Sequence, residues 1–206
     1  MGMQTGKAMK ALIVVDVQND FCPGGALAVA DGDRVVPFIN GIRDEFPLVV
    51  FIQDWHPRDH GSFASNNPGT EVMQIVPMNG QDQVMWPDHC VQNSRGAEFH
   101  PSLDRRPENP VFRKGQLKEV DSYSGFLDND QKHETGLRGF LEEKGVEEVS
   151  IVGLATDYCV KFTVLDALKF GFKVSVLREG CRAVNLSAGD EEEAFRTMEA
   201  AGAEVR

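Results

Sequence analysis

Hydrophobic positions fall along the chain in two textures: short solid apolar runs, and longer stretches in which apolar residues recur every three or four positions. The solid runs are Ala11-Leu12-Ile13-Val14-Val15, Leu48-Val49-Val50-Phe51-Ile52, Pro110-Val111-Phe112-Arg113, Val149-Ser150-Ile151-Val152-Gly153-Leu154 and Lys173-Val174-Ser175-Val176-Leu177. β-Branched runs of this length read as strands buried on both faces, the signature of parallel sheets. Helical spacing links them. One helix opens at Asp31-Gly32-Asp33 and turns Val35, Val36, Ile39 and Ile42 to one face; a weaker one follows Thr135, with Leu137, Phe140 and Leu141 inward and Gly145 as its stop. A third runs through Val160, Val164, Ala167 and Leu168 to Gly171, and a fourth starts at Asp190-Glu191-Glu192-Glu193, buries Ala194, Phe195 and Met198 and ends at Gly202. Ala203-Glu204-Val205 supplies an edge strand. The pattern predicts an α/β fold, a doubly wound, mostly parallel sheet with helices on both faces. From about 57 to 110 the pattern gives way to Gly, Pro and Asn, and this irregular region is read as a lid and metal loop of a single domain spanning 1–206.

Three of the strand runs end on reactive residues. The first runs into Asp16, the third into Lys114, and the fourth into a short turn that leads to Cys159. Ligands of open α/β sheets bind outside the carboxyl ends of the strands, so an acid, a cation and a thiol meet on one edge. Alone, each has an ordinary explanation: a turn aspartate, a solvated lysine, a small buried cysteine. Together they are the parts of an activated nucleophile. Only the thiolate attacks a carbonyl, and a free cysteine with a pKa of about 8.5 is mostly protonated at neutral pH. Thr156 and Asp157 are candidate N-caps that place Cys159 in a first helical turn, where backbone N–H groups favour an anion and can hold an oxyanion. Asp16 can take the thiol proton and later hand it to a leaving amine, while Lys114 supplies fixed positive charge.

A second cluster follows the Leu48–Ile52 run: Gln53-Asp54-Trp55-His56-Pro57, with Trp86-Pro87-Asp88-His89-Cys90 further on. Residues two apart in an extended segment share a face, so Asp54 and His56 project together. His89 from a distant loop completes an Asp/His/His set with room left for water or substrate. The set suits one divalent transition metal ion, and zinc, iron and manganese are not distinguished by ligand type. His60 is either a further ligand or a structural residue, and Ser62 is open in the same way. Cys90 is left out, because neighbours such as His89 and Cys90 rarely reach one ion together. His100 and His133 carry no motif and read as surface residues.

These residues sit in blocks that resemble a known family, the nicotinamidases or pyrazinamidases within the isochorismatase-like cysteine hydrolases. The blocks are Val15-Asp16-Val17-Gln18-Asn19-Asp20-Phe21 with Pro23-Gly24-Gly25, Asp54-Trp55-His56-Pro57-Arg58-Asp59-His60-Gly61-Ser62-Phe63-Ala64-Ser65, Trp86-Pro87-Asp88-His89-Cys90-Val91, Phe112-Arg113-Lys114-Gly115 and Val152-Gly153-Leu154-Ala155-Thr156-Asp157-Tyr158-Cys159-Val160. They occur in family order over nearly the whole chain. The resemblance implies an isochorismatase-like hydrolase fold, with Cys159 as nucleophile, Asp16 as general base and acid, and Lys114 as the third member of the triad. It also implies that Asp54, His56 and His89 hold the metal, that Ala155 and Cys159 donate oxyanion-hole N–H groups, and that the Leu154-Ala155 peptide is cis. Phe21 and Trp86 stand where the family places aromatic walls around a pyridine ring; Leu27, Val29 and Tyr158 are weaker pocket candidates. The expected reaction is hydrolysis of nicotinamide, and of pyrazinamide, through a cysteine thioester, with the metal binding the pyridine nitrogen. The Asp54/His56/His89 set and an intact Cys159 speak against the metal-free relatives that act on ureido or carbamoyl groups or cleave an enol ether, and the unmodified triad speaks against an inactive scaffold.

Composition narrows the partners. The chain has 206 residues and a formal net charge of -11, which repels nucleic acid and anionic membranes alike. No segment approaches the roughly 20 apolar residues of a membrane helix, and Met1 to Lys10 has no apolar core of a secretory signal. Four cysteines, one of them assigned to catalysis, do not make a disulfide framework at this length, so a cytoplasmic location is expected. The expected partner is the small-molecule substrate, with homo-oligomerisation left open.

Overall fold

The computed structural model describes residues 9–206, so most of the N-terminal stretch read as free of a secretory signal lies outside the described residues. Six strands form one parallel sheet: β1 (Met9–Val15), β2 (Leu48–Asp54), β5 (Val111–Lys114), β6 (Val146–Leu154), β7 (Lys173–Arg182) and β8 (Glu204–Val205), in the order β5-β2-β1-β6-β7-β8. A separate antiparallel hairpin, β3 (Ile75–Met78) and β4 (Gln81–Val84), lies inside the region expected to be irregular. The hairpin strands carry Pro77 and mixed polar residues with no buried alternating face, so hydrophobic periodicity does not reveal them.

Alternation along the strands divides the core in two. Ala11, Ile13 and Val15 of β1 pack with α2 (Leu137–Glu143), α3 (Lys161–Lys169) and α4 (Asp190–Ala200) through Leu141, Val164 and Phe195. Leu12 and Val14 face α1 (Val35–Ile42) through Val35, Val36 and Ile39. Helices therefore cover both faces, as the solid apolar runs require. Gly171, at φ +88°, ends α3 as expected, but the helix start differs. Thr156–Val160 forms a π-type turn ahead of α3 with no side-chain cap, because Thr156 Oγ1 bonds Glu191 and the Asp157 carboxylate accepts from Val184 and Asn185 N–H. Both expected caps serve tertiary contacts instead.

The chain winds outward from β1 to β2 and β5, then returns to lay β6 on the other side of β1. The carboxyl ends of β1 and β6 thus flank the point where strand order reverses, the position where open sheets form a crevice. Between these strands the backbones approach closely: a Cβ on Gly153, itself at φ +124°, would overlap the Val15 carbonyl. Gly153→Ala should therefore destabilise the fold by about 3 kcal/mol or more. Denaturant unfolding checks this, and a loss under about 1 kcal/mol would show that the β1/β6 contact yields easily.

Candidate active site

Each strand end delivers one group into the crevice. Asp16 follows β1 with φ +49°, a left-handed conformation that aspartate tolerates, and this bend turns its carboxylate in under the sheet edge. Lys114 ends β5 and Cys159 sits in the π-type turn after β6. Lys114 is buried, and its ammonium lies 2.9 Å from Asp16 Oδ2, 2.9 Å from Asp54 Oδ1 and 2.9 Å from the Ser122 carbonyl. The Cys159 Sγ is 3.4 Å away. Acid, cation and thiol do meet, and a fourth group, Asp54, shares the cation.

This sharing decides the charge states. Burial pulls Lys114 down, but Asp16 and Asp54 outweigh it and hold the ammonium charged well above its ordinary range. Burial raises Asp16 to about 6, with Lys114 offsetting part of the rise and Asp54 adding to it. Burial also pushes the Cys159 thiol well up; Lys114 counters this, while Asp16 and Asp54 reinforce it. Two carboxylates thus share the one cation, which leaves less of its field for the thiol and fits the reading of Asp16 as the base that takes the thiol proton.

Asp54 also faces the histidines. Its Oδ2 lies 2.8 Å from His56 Nε2 and 3.3 Å from His89 Nε2. His56 Nδ1 donates to the Gly115 carbonyl at 2.9 Å, and His89 Nδ1 donates to the Pro87 carbonyl at 2.7 Å. With Nδ1 carrying the proton, each Nε2 presents a lone pair to the same carboxylate oxygen. Three electron-rich atoms aimed at one spot need a cation between them, so this donor set fits a divalent metal. Gly115 is required for this, since a Cβ there would overlap the His56 ring. His60 Nδ1 meets Ser62 Oγ at 2.8 Å and its Nε2 lies 3.3 Å from the Val120 carbonyl, so both nitrogens are engaged and Ser62 serves this histidine. Burial and neighbouring His56 lower His60 to about 4.

A cavity of about 30 Å³ joins the two clusters. Phe21, Leu27, Trp86, Ala155, Tyr158 and Cys159 line it, as do Asp54, His56 and His89; Val29 is buried in the core and does not. Four lining residues were not read from sequence: Asp121, Ser122, Tyr123 and Val184. Tyr123 stands edge-on to Trp86 and Tyr158, and Trp86 Nε1 donates to its hydroxyl at 3.3 Å. Asp121 accepts from Gln83 of β4 at 2.8 Å, which gives the unforeseen hairpin its connection to the pocket. The Leu154-Ala155 peptide is cis.

The parallel doubly wound sheet and a crevice holding acid, lysine and thiol beside a metal-type donor set define an α/β hydrolase class. Residues 10–206 match the isochorismatase domain, and the chain belongs to that family. It is 50% identical over 198 residues to the nicotinamidase of Escherichia coli K12, covering 94% of this chain and 92% of that protein. The Acinetobacter baumanii nicotinamidase/pyrazinamidase structure is 45% identical with a TM-score of 0.93, covering 97% of this chain and 96% of that one. The Pyrococcus horikoshii pyrazinamidase in complex with zinc is 37% identical with a TM-score of 0.78, covering 96% and 98%.

His56→Ala and His89→Ala should each weaken binding of added zinc by more than the roughly 10–100-fold that loss of an outer-shell partner brings. Titration against a chelating dye measures this, and unchanged affinity in either variant would remove that histidine from the donor set.

Proposed function

We propose that this chain is a metal-dependent nicotinamidase that hydrolyses nicotinamide, and pyrazinamide, to the acid and ammonia through a thioester on Cys159, feeding nicotinate to NAD salvage. One observation carries this reading: a single buried ammonium touches the carboxylate of Asp16, the thiol of Cys159 and the Asp54 that faces the histidines. The nucleophile and the metal donors thus share one floor beside the rings of Phe21, Trp86 and Tyr158. Relatives of 45–50% identity bearing the nicotinamidase name support the same substrate.

Asp54, His56 and His89 would hold a divalent ion, which would supply Lewis acidity towards the pyridine nitrogen; zinc, iron and manganese all suit these donors. The chain's own residues do the rest. Phe21, Trp86 and Tyr158 hold the ring, which places the carboxamide carbon over Sγ and turns an encounter into a near-attack geometry. Asp16, ionised above pH of about 6, takes the thiol proton as Sγ bonds to the carbon. The oxyanion that forms faces the backbone N–H groups of Ala155 and Cys159. Asp16 returns the proton to the departing nitrogen, the C–N bond breaks and ammonia leaves. Water then adds to the thioester with Asp16 again as base, and Sγ departs as nicotinate forms, regaining its proton. Lys114 keeps Asp16 in place and steadies the transient thiolate. Four free cysteines are consistent with a cytoplasmic setting, and among the described residues no helix is long and apolar enough to cross a membrane.

Cys159→Ala should release no ammonia from nicotinamide above background while zinc affinity stays as in the parent. Hydrolysis above about a hundredth of the parental rate would exclude the covalent route.

The pH profile supplies a separate check. Because Asp16 must be ionised to act and titrates at about 6, kcat/KM should fall as pH drops below about 6. Asp16→Asn should abolish hydrolysis yet shift iodoacetamide alkylation of Cys159 to lower pH, since a carboxylate that holds the thiol protonated is gone. Lys114→Met should shift alkylation the other way. Equal profiles in parent and both variants would mean that the thiol does not sense these charges.

A further inference from the structure

The β1/β2 ladder stops one rung short of Asp54. Asp16 N–H still donates to the Ile52 carbonyl at 3.1 Å, but the chain then bends, and Gln18 N–H takes the Asp16 carbonyl at 2.8 Å. The next rung of a parallel ladder would have paired the backbone of Asp54. The side chain of Gln18 fills it. Gln18 Oε1 accepts from Asp54 N–H at 2.8 Å and Gln18 Nε2 donates to the Asp54 carbonyl at 2.8 Å, so one carboxamide stands in for a missing peptide group. The same Nε2 donates to the Ala97 carbonyl at 2.9 Å, where Gln53 Nε2 also arrives at 2.9 Å.

Ala97 belongs to the segment that carries His89. Asn19 and Asp20 N–H donate to the Glu98 and Gly96 carbonyls, and Asp20 Oδ2 accepts from Cys90 N–H at 2.7 Å. Gln18 is fully buried and bonds both the strand end bearing Asp54 and the loop bearing His89, beside a backbone bridge in which His56 N–H donates to the Cys90 carbonyl at 3.0 Å and Gln92 N–H to the His56 carbonyl at 2.9 Å.

We propose that Gln18 is a positioning residue that sets metal affinity by fixing the backbone of Asp54 against the loop that bears His89. The proposal rests on the reading of Asp54, His56 and His89 as the metal ligands. The bridge between His56 and Val91 aligns His56 with that loop, and Gln18 holds both backbone groups of Asp54 beside it; a ligand ordered before the ion arrives spares the ion the cost of ordering it. Gln18 touches neither thiol nor ring, so its loss acts through metal and ring placement.

The test uses the full chain and zinc. Gln18→Met removes every hydrogen bond at similar volume; Gln18→Glu keeps the shape and an acceptor for Asp54 N–H but loses both donors. Zinc affinity by dye competition should fall about 10–100-fold in each, with KM for nicotinamide raised at limiting zinc. At saturating zinc kcat should return to near the parental value, and the cobalt-substituted variants should show an altered visible spectrum. Zinc affinity within twofold of the parent in both variants overturns the proposal, as does failure of both to fold, which would make Gln18 a residue of the fold alone. Absence of zinc binding by the parent would instead sink the ligand assignment and is read separately.

Discussion

The buried ammonium of Lys114 is the interaction on which the site depends. Taking an ammonium out of water is expensive, and it persists at Lys114 only because two carboxylates and a backbone carbonyl replace its hydration at 2.9 Å each. Those two carboxylates come from different strand ends, so the cation ties β1, β2 and β5 together at the rim where the sheet opens. It also makes the two halves of the site interdependent. Asp54 has one oxygen on Lys114 and the other towards the histidines, so any charge placed among the histidines is felt by the thiol through one carboxylate.

The fold serves this arrangement by bringing chain segments far apart in sequence to one crevice. Asp16, Asp54 and Lys114 each end or follow a strand, positions held by ladders on a sheet buried on both faces. The groups that need exact placement thus ride on the stiffest part of the molecule, and the walls that touch the ring come from loops and from the turn after β6. The left-handed bend at Asp16 and the glycine at 115 are the two backbone features that let side chain and ring enter the crevice.

Much of this was legible from residue order because strands buried on both sides announce themselves as solid apolar runs and reactive residues sit at their ends. The six sheet strands, four helices and the Asp54/His56/His89 convergence followed from that. What stayed hidden depends on tertiary context. The hairpin at 75–84 has no periodic face, although its Gln83 donates to Asp121 of the pocket, and Tyr123 lies in no motif although it lines the pocket. Lys114 was legible as fixed positive charge beside Cys159, but only the structure shows two acids competing for that cation. Thr156 and Asp157 have the chemistry of caps and were taken up by Glu191 and the 184–185 backbone. Gln18 was visible within a motif, yet nothing in its neighbours tells that its amide completes a ladder.

Trp86, Tyr123 and Tyr158 pack edge to face with one another along the cavity that holds Sγ. Each ring is thus held in orientation by the other two, and an incoming substrate meets a wall already set rather than one that must be ordered around it. Selection then falls on outline: a flat ring passes between these walls, while a substituent standing out of its plane meets side chains with no free room to turn.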